Sequence, residues 1–119
     1  PEEVKCPMIL HQKLSAAMAQ RFFGVDDKGT LSAICCHTTL RRDAALLDKI
    51  VFLADKIRWD QSGEPPYLPN LVAALGPSLD AAVCVYLGYL WERRNSLAVV
   101  HPWLAAAYCQ LCAQEGRCL

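Results

Sequence analysis

The sequence predicts an all-α protein, and two observations along its 119 residues lead to this prediction. Apolar residues return at steps of three and four, which is the spacing of one face of an α-helix. No segment alternates apolar and polar residues with the period of two that a half-buried strand requires. Proline and glycine clusters, which interrupt helices, separate the periodic segments. We therefore expect several helices joined by loops, without internal repeats or low-complexity stretches.

Three helices are predicted in the first half of the chain. The first spans roughly residues 8–23, and a second, shorter helix follows a capping residue at Asp26 or Asp27 and ends near residues 37–39. The third spans residues 44–58 and is apolar on so many sides that we expect it to be central. In the first helix, we expect one buried face that comprises Met8, Ile9, Leu14, Ala17, Met18 and Phe22.

The second half is predicted to begin with a loop and to continue as three helices. Residues 61–67 contain Gly-Glu-Pro-Pro, and proline both lacks an amide donor and restricts the residue before it. A short helix over residues 68–75 follows, and Ser78 is a suitable cap for a long helix that continues through residue 91. Pro102 suits the first turn of a last helix that reaches about residue 114.

Composition limits the classes of protein to which the chain can belong. Twelve basic residues balance twelve acidic ones, and 54% of the residues are apolar. The absence of net charge argues against nucleic acid as a partner, and no apolar run approaches the roughly 20 residues that cross a bilayer. We expect one domain over residues 1–119 in a soluble, cytoplasmic protein without a membrane partner.

The seven cysteines are expected to be reduced. Their number is odd, and Cys35, Cys36 and Cys84 lie in apolar helical surroundings, where a free cysteine behaves as a small buried hydrophobic residue. Cys109 and Cys112 have the two-residue spacing of zinc and redox motifs, but the sequence offers no second pair. We therefore interpret them as ordinary helix residues.

Three residues have side chains that suit a divalent metal ion, namely His11, His37 and Asp55. They are too far apart along the chain to form a local motif, and a single histidine on a helix is more often structural. The residue types alone therefore leave both interpretations open. His101 directly precedes Pro102, and a helix boundary is a sufficient explanation for it.

Three segments together resemble consecutive motifs of one enzyme family. They read Met-Ile-Leu-His-Gln-Lys-Leu-Ser-Ala over residues 8–16, Leu-Ser-Ala-Ile-Cys-Cys-His-Thr-Thr over residues 31–39, and Leu-Asp-Lys-Ile-Val-Phe-Leu-Ala-Asp-Lys-Ile over residues 47–57. Their order and spacing resemble the YqeK-type members of the HD superfamily of phosphohydrolases, which include symmetrical diadenosine tetraphosphatases. The resemblance runs from about residue 7 to residue 111. It implies an HD-domain-like helical bundle.

The resemblance also implies a metal site and a truncated chain. His11 matches the third histidine of the family pattern, His37 the histidine before threonine, and Asp55 the final aspartate. The first histidine and the His-Asp pair of the family have no match. We therefore expect a C-terminal portion, with catalytic residues upstream of Pro1, that is inactive or nearly so by itself. The implied cofactor is one or two divalent ions, often iron, which lower the pKa of a bound water.

The substrate that the resemblance implies is a nucleotide or a dinucleoside polyphosphate. Arg58 lies three positions beyond Asp55 on the same helical face, and Arg41 and Arg42 follow the second motif, so these arginines are candidates for phosphate binding. Solvated surface arginines are the alternative. We expect Lys56 to lie at the surface.

Two aromatic residues are candidates for stacking on a nucleobase. Trp59 and Tyr67 flank the proline-rich loop, and aromatic faces stack on bases. Either ring could instead close the core. This loop departs from the family pattern, which puts the diadenosine tetraphosphate substrate in doubt more than the fold.

A function of a different class remains open beside hydrolysis. An HD scaffold that has lost its upstream helices would expose apolar surface, and large exposed apolar patches commonly mark association interfaces. The alternative is thus a non-catalytic helical binding or dimerisation module, with a homo-oligomer as its simplest form.

Overall fold

The computed structural model describes residues 7–58, 62–97 and 99–112 and contains no strand within these ranges. The described α-helices are α1 (Pro7–Phe23), α2 (Lys28–Cys35), α3 (Leu46–Ile57), α4 (Leu68–Leu75), α5 (Leu79–Glu92) and α6 (Pro102–Leu111), and a short 3-10 helix spans Arg94–Ser96. The all-α prediction is confirmed, and the helix boundaries lie close to the predicted ones. No helix in the described ranges is both long enough and apolar enough to span a bilayer.

Side-chain caps fix where three of the helices begin. The carboxylate of Asp27 accepts a hydrogen bond from the backbone amide of Thr30 at 2.8 Å, and the hydroxyl of Ser78 caps α5 in the same way. At the start of α6, Nδ1 of His101 accepts from the backbone amide of Trp103 at 3.1 Å. Each cap satisfies an amide that has no partner within its own helix. The interpretation of His101 as a helix-boundary residue is confirmed.

The hydrophobic core lies among α3, α4, α5 and α6. Helix α5 packs against α4, α6 and α3. The core residues are Leu40, Phe52, Leu53, Tyr67, Leu71, Ala82, Val83, Leu87, Leu104 and Ala107. Helix α3 contributes only Phe52 and Leu53 to this cluster, while Leu46, Leu47 and Ile50 are exposed. The prediction that α3 is central therefore holds for one of its faces.

Helix α1 does not bury the apolar face that its periodicity predicts. Leu14, Met18 and Phe22 are 53%, 51% and 67% exposed. The helix packs against α2, and Gln12 is its fully buried side chain. Periodicity shows which residues share a face of a helix, but it does not show whether another element covers that face. The prediction of a buried apolar face on α1 was therefore wrong.

A disulfide joins α5 to the end of α6. Cys84 pairs with Cys112, and their Cα atoms are 5.3 Å apart, within the usual range for a disulfide. The prediction of reduced cysteines was wrong here, because contacts between helices brought together two residues whose sequence positions gave no sign of pairing. It was also wrong for Cys109, which is disulfide-bonded too, so neither Cys109 nor Cys112 is an ordinary reduced helix residue. Cys35 and Cys36 are free thiols, as predicted. Burial is the main cause that raises the pKa of Cys36 to about 12.

Candidate metal-binding site

Two of the three predicted metal ligands face each other. The Nε2 atoms of His11, on α1, and His37, in the turn after α2, are 2.8 Å apart. Their rings meet edge to face, with centroids 4.7 Å apart. The same nitrogen of His11 lies 3.3 Å from the hydroxyl of Thr38. The side chain of His11 is exposed and that of His37 is half-buried, so the pair is accessible from solvent.

The hydrogen bonding of His37 leaves its Nε2 atom suited to a metal. Its Nδ1 atom lies 2.6 Å from the carbonyl oxygen of Ile34. Because a carbonyl only accepts, Nδ1 carries the proton in this tautomer and Nε2 presents a lone pair. Metal-binding histidines are commonly oriented by such a bond on the second ring nitrogen. Two nitrogen ligands that each lie about 2.0–2.1 Å from one metal ion are roughly 3 Å apart, so the imidazole pair fits a shared divalent ion.

Gln12 holds the two histidines in this arrangement. Its side-chain oxygen accepts hydrogen bonds from the backbone amides of Thr38 at 2.9 Å and Thr39 at 3.3 Å. Its side-chain nitrogen donates to the hydroxyl of Thr39 at 3.1 Å. Gln12 directly follows His11, and the two threonines directly follow His37. The buried amide therefore fixes α1 to the histidine turn. We did not predict this role, because the partners lie 26 and 27 residues away in sequence.

Asp55 is linked to the histidine turn through its neighbour Lys56. The ammonium nitrogen of Lys56 lies 2.9 Å from the carboxylate of Asp55 and 3.3 Å from the carbonyl oxygen of His37. Half of the Asp55 side chain is exposed, whereas Lys56 is 7% exposed. The prediction of a surface lysine was wrong: Lys56 follows Phe52 by one helical turn and shares its buried face. Its ammonium lies 4.9 Å from the Phe52 ring centroid and 5.4 Å from that of Tyr86.

Burial lowers the pKa of Lys56, and the nearby carboxylate of Asp55 partly opposes this effect. The ammonium of Lys56 thus places a positive charge beside the carboxylate of Asp55, which is one of the predicted metal ligands. Within the described ranges, no three His, Cys, Asp or Glu side chains are close enough to hold a metal ion together. The structure thus brings together His11 and His37 directly, and it joins Asp55 to them through Lys56.

The three candidate phosphate-binding arginines differ in their surroundings. Nε of Arg41 lies 3.6 Å from the buried carboxylate of Asp48, which also accepts a hydrogen bond from Ser32 at 2.8 Å. Arg41 thus serves as a partner for a buried charge between α2 and α3. Arg42 and Arg58 are exposed. We did not single out Asp48, although its position in the first turn of α3 is typical of a helix-capping carboxylate.

Of the two candidate stacking residues, Trp59 lies outside the described residues. Tyr67 is 8% exposed, and its hydroxyl donates to the carbonyl oxygen of Lys56 at 2.9 Å. Its ring meets those of Tyr86 and Tyr89 edge to face, at centroid distances of 4.9 and 5.3 Å. Burial raises the pKa of Tyr67, and the charge of Asp55 adds to the effect. Tyr67 therefore contributes to the core and also lines a cavity of about 420 Å³.

Comparison with known proteins identifies relatives of this chain. No protein-family model matches it. It is 44% identical over 106 residues to an uncharacterized protein of the pepC 5' region in Lactococcus lactis subsp. cremoris, a match that covers 89% of this chain and 53% of the other. It is 43% identical over 49 residues to the symmetrical bis(5'-nucleosyl)-tetraphosphatase of Halalkalibacterium halodurans, covering 41% of this chain and 26% of the enzyme. The chain thus spans about half the length of the first relative and less of the second.

A solved structure shares the fold. A predicted HD superfamily hydrolase involved in NAD metabolism, from Clostridium acetobutylicum, matches with a TM-score of 0.82 and 26% sequence identity. The match covers 93% of this chain and 58% of that one. Nearly all of the helical arrangement described above therefore recurs in a longer protein.

Proposed function

Because this chain belongs to the HD superfamily and has YqeK-type symmetrical tetraphosphatases among its relatives, we propose that it forms part of a metal-dependent phosphohydrolase of nucleotides or dinucleoside polyphosphates. The observation that supports this proposal most strongly is the convergence of the Nε2 atoms of His11 and His37. Two solvent-accessible imidazoles held at this distance are suited to bind a divalent ion.

In this proposal His11 and His37 hold the metal directly, with iron as the first candidate. Asp55 would join them as the third ligand by releasing the ammonium of Lys56. When bound, such an ion polarises a phosphoryl oxygen and lowers the pKa of a bound water. The carbonyl of Ile34 holds His37 in the tautomer that presents Nε2. Gln12 keeps both imidazoles aligned.

Positive charge for the phosphates comes from the residues around this group. The buried ammonium of Lys56 lies beside Asp55. Arg58 and Arg42 are exposed, and the Arg41 side chain is partly exposed while it pairs with Asp48. Cations near a phosphoryl group stabilise the charge that develops during its transfer. We place these residues in substrate binding and the histidines in metal binding.

Hydrolysis of diadenosine tetraphosphate, with Mn²⁺ or Fe²⁺ added, tests the proposal. We expect the 119-residue chain alone to show little activity, because two imidazoles and one carboxylate offer few ligands for an active metal. The natural protein that contains these residues should be active, and Asp55→Asn should lower its kcat by at least about 100-fold. His101→Asn, which keeps a capping acceptor outside the site, is the matched control. Full activity of the natural protein with Asp55→Asn would refute the assignment.

A second candidate function is a non-catalytic binding or dimerisation module. It is favoured by the exposed apolar residues of α1, which include Leu14, Met18 and Phe22. Sedimentation of the 119-residue chain at increasing concentration tests it. A homo-oligomer that Met18→Glu dissociates, combined with no metal binding, would favour this candidate. A monomer at all concentrations would exclude dimerisation through α1.

A further inference from the structure

A cavity of about 420 Å³ lies between α4 and α5. Its walls include Tyr67, Asn70, Gly88, Tyr89 and Arg93. Its volume is within the range of small-molecule sites in proteins. We propose that this cavity is a binding site for a nucleobase, that is, a planar heteroaromatic ring with hydrogen-bonding edges. The inference rests on the proposed function in one respect, namely that the base belongs to the nucleotide to be hydrolysed.

Gly88 is one of the residues that line the cavity. It lies in the interior of α5, where glycine destabilises a helix relative to alanine. Its backbone does not have the positive φ that would call for glycine, and a Cβ atom added there would meet nothing within 4 Å. Neither backbone conformation nor close packing therefore explains the residue. Its effect is to widen the cavity next to Tyr89.

The cavity wall carries an aromatic ring, a guanidinium and a side-chain amide, from Tyr89, Arg93 and Asn70. The guanidinium carbon of Arg93 lies 3.8 Å from the ring centroid of Tyr89, and Arg93 donates to the carbonyl oxygen of Tyr89 at 3.1 Å. Flat guanidinium and phenol groups are the surfaces on which bases stack. The exposed side-chain amide of Asn70 offers one acceptor and two donors, and amides of this kind pair with the edges of bases.

Charge at the rim favours the base over the phosphates. The carboxylate of Glu92 lies 3.9 Å from Arg93, so the two opposite charges largely cancel there. A phosphate would gain little electrostatic attraction from this rim, whereas the binding of an uncharged base does not depend on such attraction. Other exposed arginines, Arg42 and Arg58, lie outside the cavity wall.

Lys56 connects the cavity wall to the proposed metal site. The hydroxyl of Tyr67 donates to the carbonyl oxygen of Lys56, and the ammonium of Lys56 contacts both Asp55 and the carbonyl of His37. One residue, Lys56, therefore lies between the cavity wall and the predicted ligands.

Binding of adenosine to the 119-residue chain tests the inference. Adenosine carries no phosphate, so its binding does not depend on the metal site. Titration followed by NMR should give saturable shifts at residues of α4 and α5, whereas ribose should give none. Gly88→Leu, whose side chain would fill the cavity, should weaken adenosine binding at least tenfold. Asn70→Leu, which removes the amide at similar volume, should also weaken adenosine binding severalfold. If Gly88→Leu does not fold, the result for Asn70→Leu tests the cavity assignment by itself.

The matched control is Ala73→Leu, which adds the same bulk to an exposed position of α4 outside the cavity wall and should leave binding unchanged. Gly88→Ala should raise Tm by a few degrees, since the helix gains an alanine without a clash. A parallel Mn²⁺ titration separates the two proposals. Metal binding without adenosine binding would overturn the cavity assignment alone, as would adenosine binding that neither Gly88→Leu nor Asn70→Leu weakens. Adenosine binding without metal binding would overturn the proposed phosphohydrolase and leave the cavity assignment standing.

Discussion

His11 and His37 are 26 residues apart in the chain, yet their Nε2 atoms lie 2.8 Å from each other. The contact joins the exposed side of α1 to the turn that follows α2. From residue 9 onward, where its side chains are described, helix α1 contributes no residue to the buried hydrophobic cluster, so this contact does not follow from packing of apolar side chains. It depends instead on the polar contacts of Gln12 with Thr38 and Thr39.

Replacement of Gln12 should therefore damage both stability and metal binding. Gln12→Leu keeps a similar volume but leaves the amides of Thr38 and Thr39 without their acceptor. We expect it to lower the free energy of unfolding by about 2–3 kcal/mol, the cost of buried groups that lose their hydrogen bonds. Urea denaturation measures this loss, and calorimetry measures the accompanying decrease in Mn²⁺ affinity.

Gln20→Leu is the matched control for Gln12→Leu, because Gln20 is exposed on the same helix. It should change neither quantity noticeably. If Gln12→Leu destabilised the chain but left Mn²⁺ affinity unchanged, Gln12 would have no positioning role for the histidines.

The buried ammonium of Lys56 should make stability depend on pH. Because burial lowers its pKa in the folded chain, the unfolded chain binds more protons between that lowered pKa and the ordinary lysine value of about 10.4. The contribution of Lys56 to the free energy of unfolding therefore rises with pH in that window and is lowest at pH values below it. Lys56→Met keeps the packing of the stem and removes the charge. The free energy of unfolding of Lys56→Met minus that of the unchanged chain should therefore decrease from pH 7 to pH 10.

An opposite trend would contradict the assignment for Lys56. A difference that grew with pH would mean that the folded chain stabilises the ammonium more than water does. Lys49→Met is the control for loss of a lysine side chain from the same helix, since Lys49 pairs with Asp80 and not with Asp55.

The helix boundaries were predictable from sequence because they depend on local residues. Ser78 caps α5 and Pro102 begins α6, as predicted. What covers each helix was not predictable, since it depends on contacts between distant segments. Met18 was expected to be buried and is exposed, whereas Lys56 was expected at the surface and is buried.

The candidate site was predictable only in part. His11, His37 and Asp55 came from the resemblance of three segments to one family, and their residue types alone left a structural role open. The roles of Gln12 and Lys56 depend on partners in the turn after α2. No spacing or composition indicates such partners, so these roles followed only from the structure.

The adjacent thiols Cys35 and Cys36 should differ in reactivity. Cys36 is fully buried, and its raised pKa of about 12 leaves little thiolate near neutral pH. At pH 8 iodoacetamide should therefore alkylate Cys35 in the Cys36→Ser variant faster than it alkylates Cys36 in the Cys35→Ser variant. Cys35 is partly exposed, whereas Cys36 is buried. Mass spectrometry of the peptide that contains both positions measures the rates. Equal rates in the folded state would contradict the burial of Cys36.

Reduction of the Cys84–Cys112 disulfide should destabilise the packing of α6 on α5. The two residues are 28 positions apart, and closing a loop of this length contributes about 3–4 kcal/mol in the chain-entropy description. Urea denaturation with and without a reductant measures the effect. Cys84→Ala should lower the dependence on reductant by this amount, while Cys109, which is also disulfide-bonded, can still respond to the reductant. A loss that persisted in full in Cys84→Ala would show that this disulfide is not responsible.

Calorimetric titration of the 119-residue chain with Mn²⁺ tests the central claim most directly. We expect saturable binding that the double variant His11→Ala, His37→Ala weakens at least 100-fold, that Asp55→Asn weakens about tenfold, and that His101→Asn leaves unchanged. Circular dichroism should show that all variants keep their helices. Binding that the double variant retains in full, or the absence of binding by the unchanged chain at millimolar Mn²⁺, would contradict the claim that these histidines hold a metal.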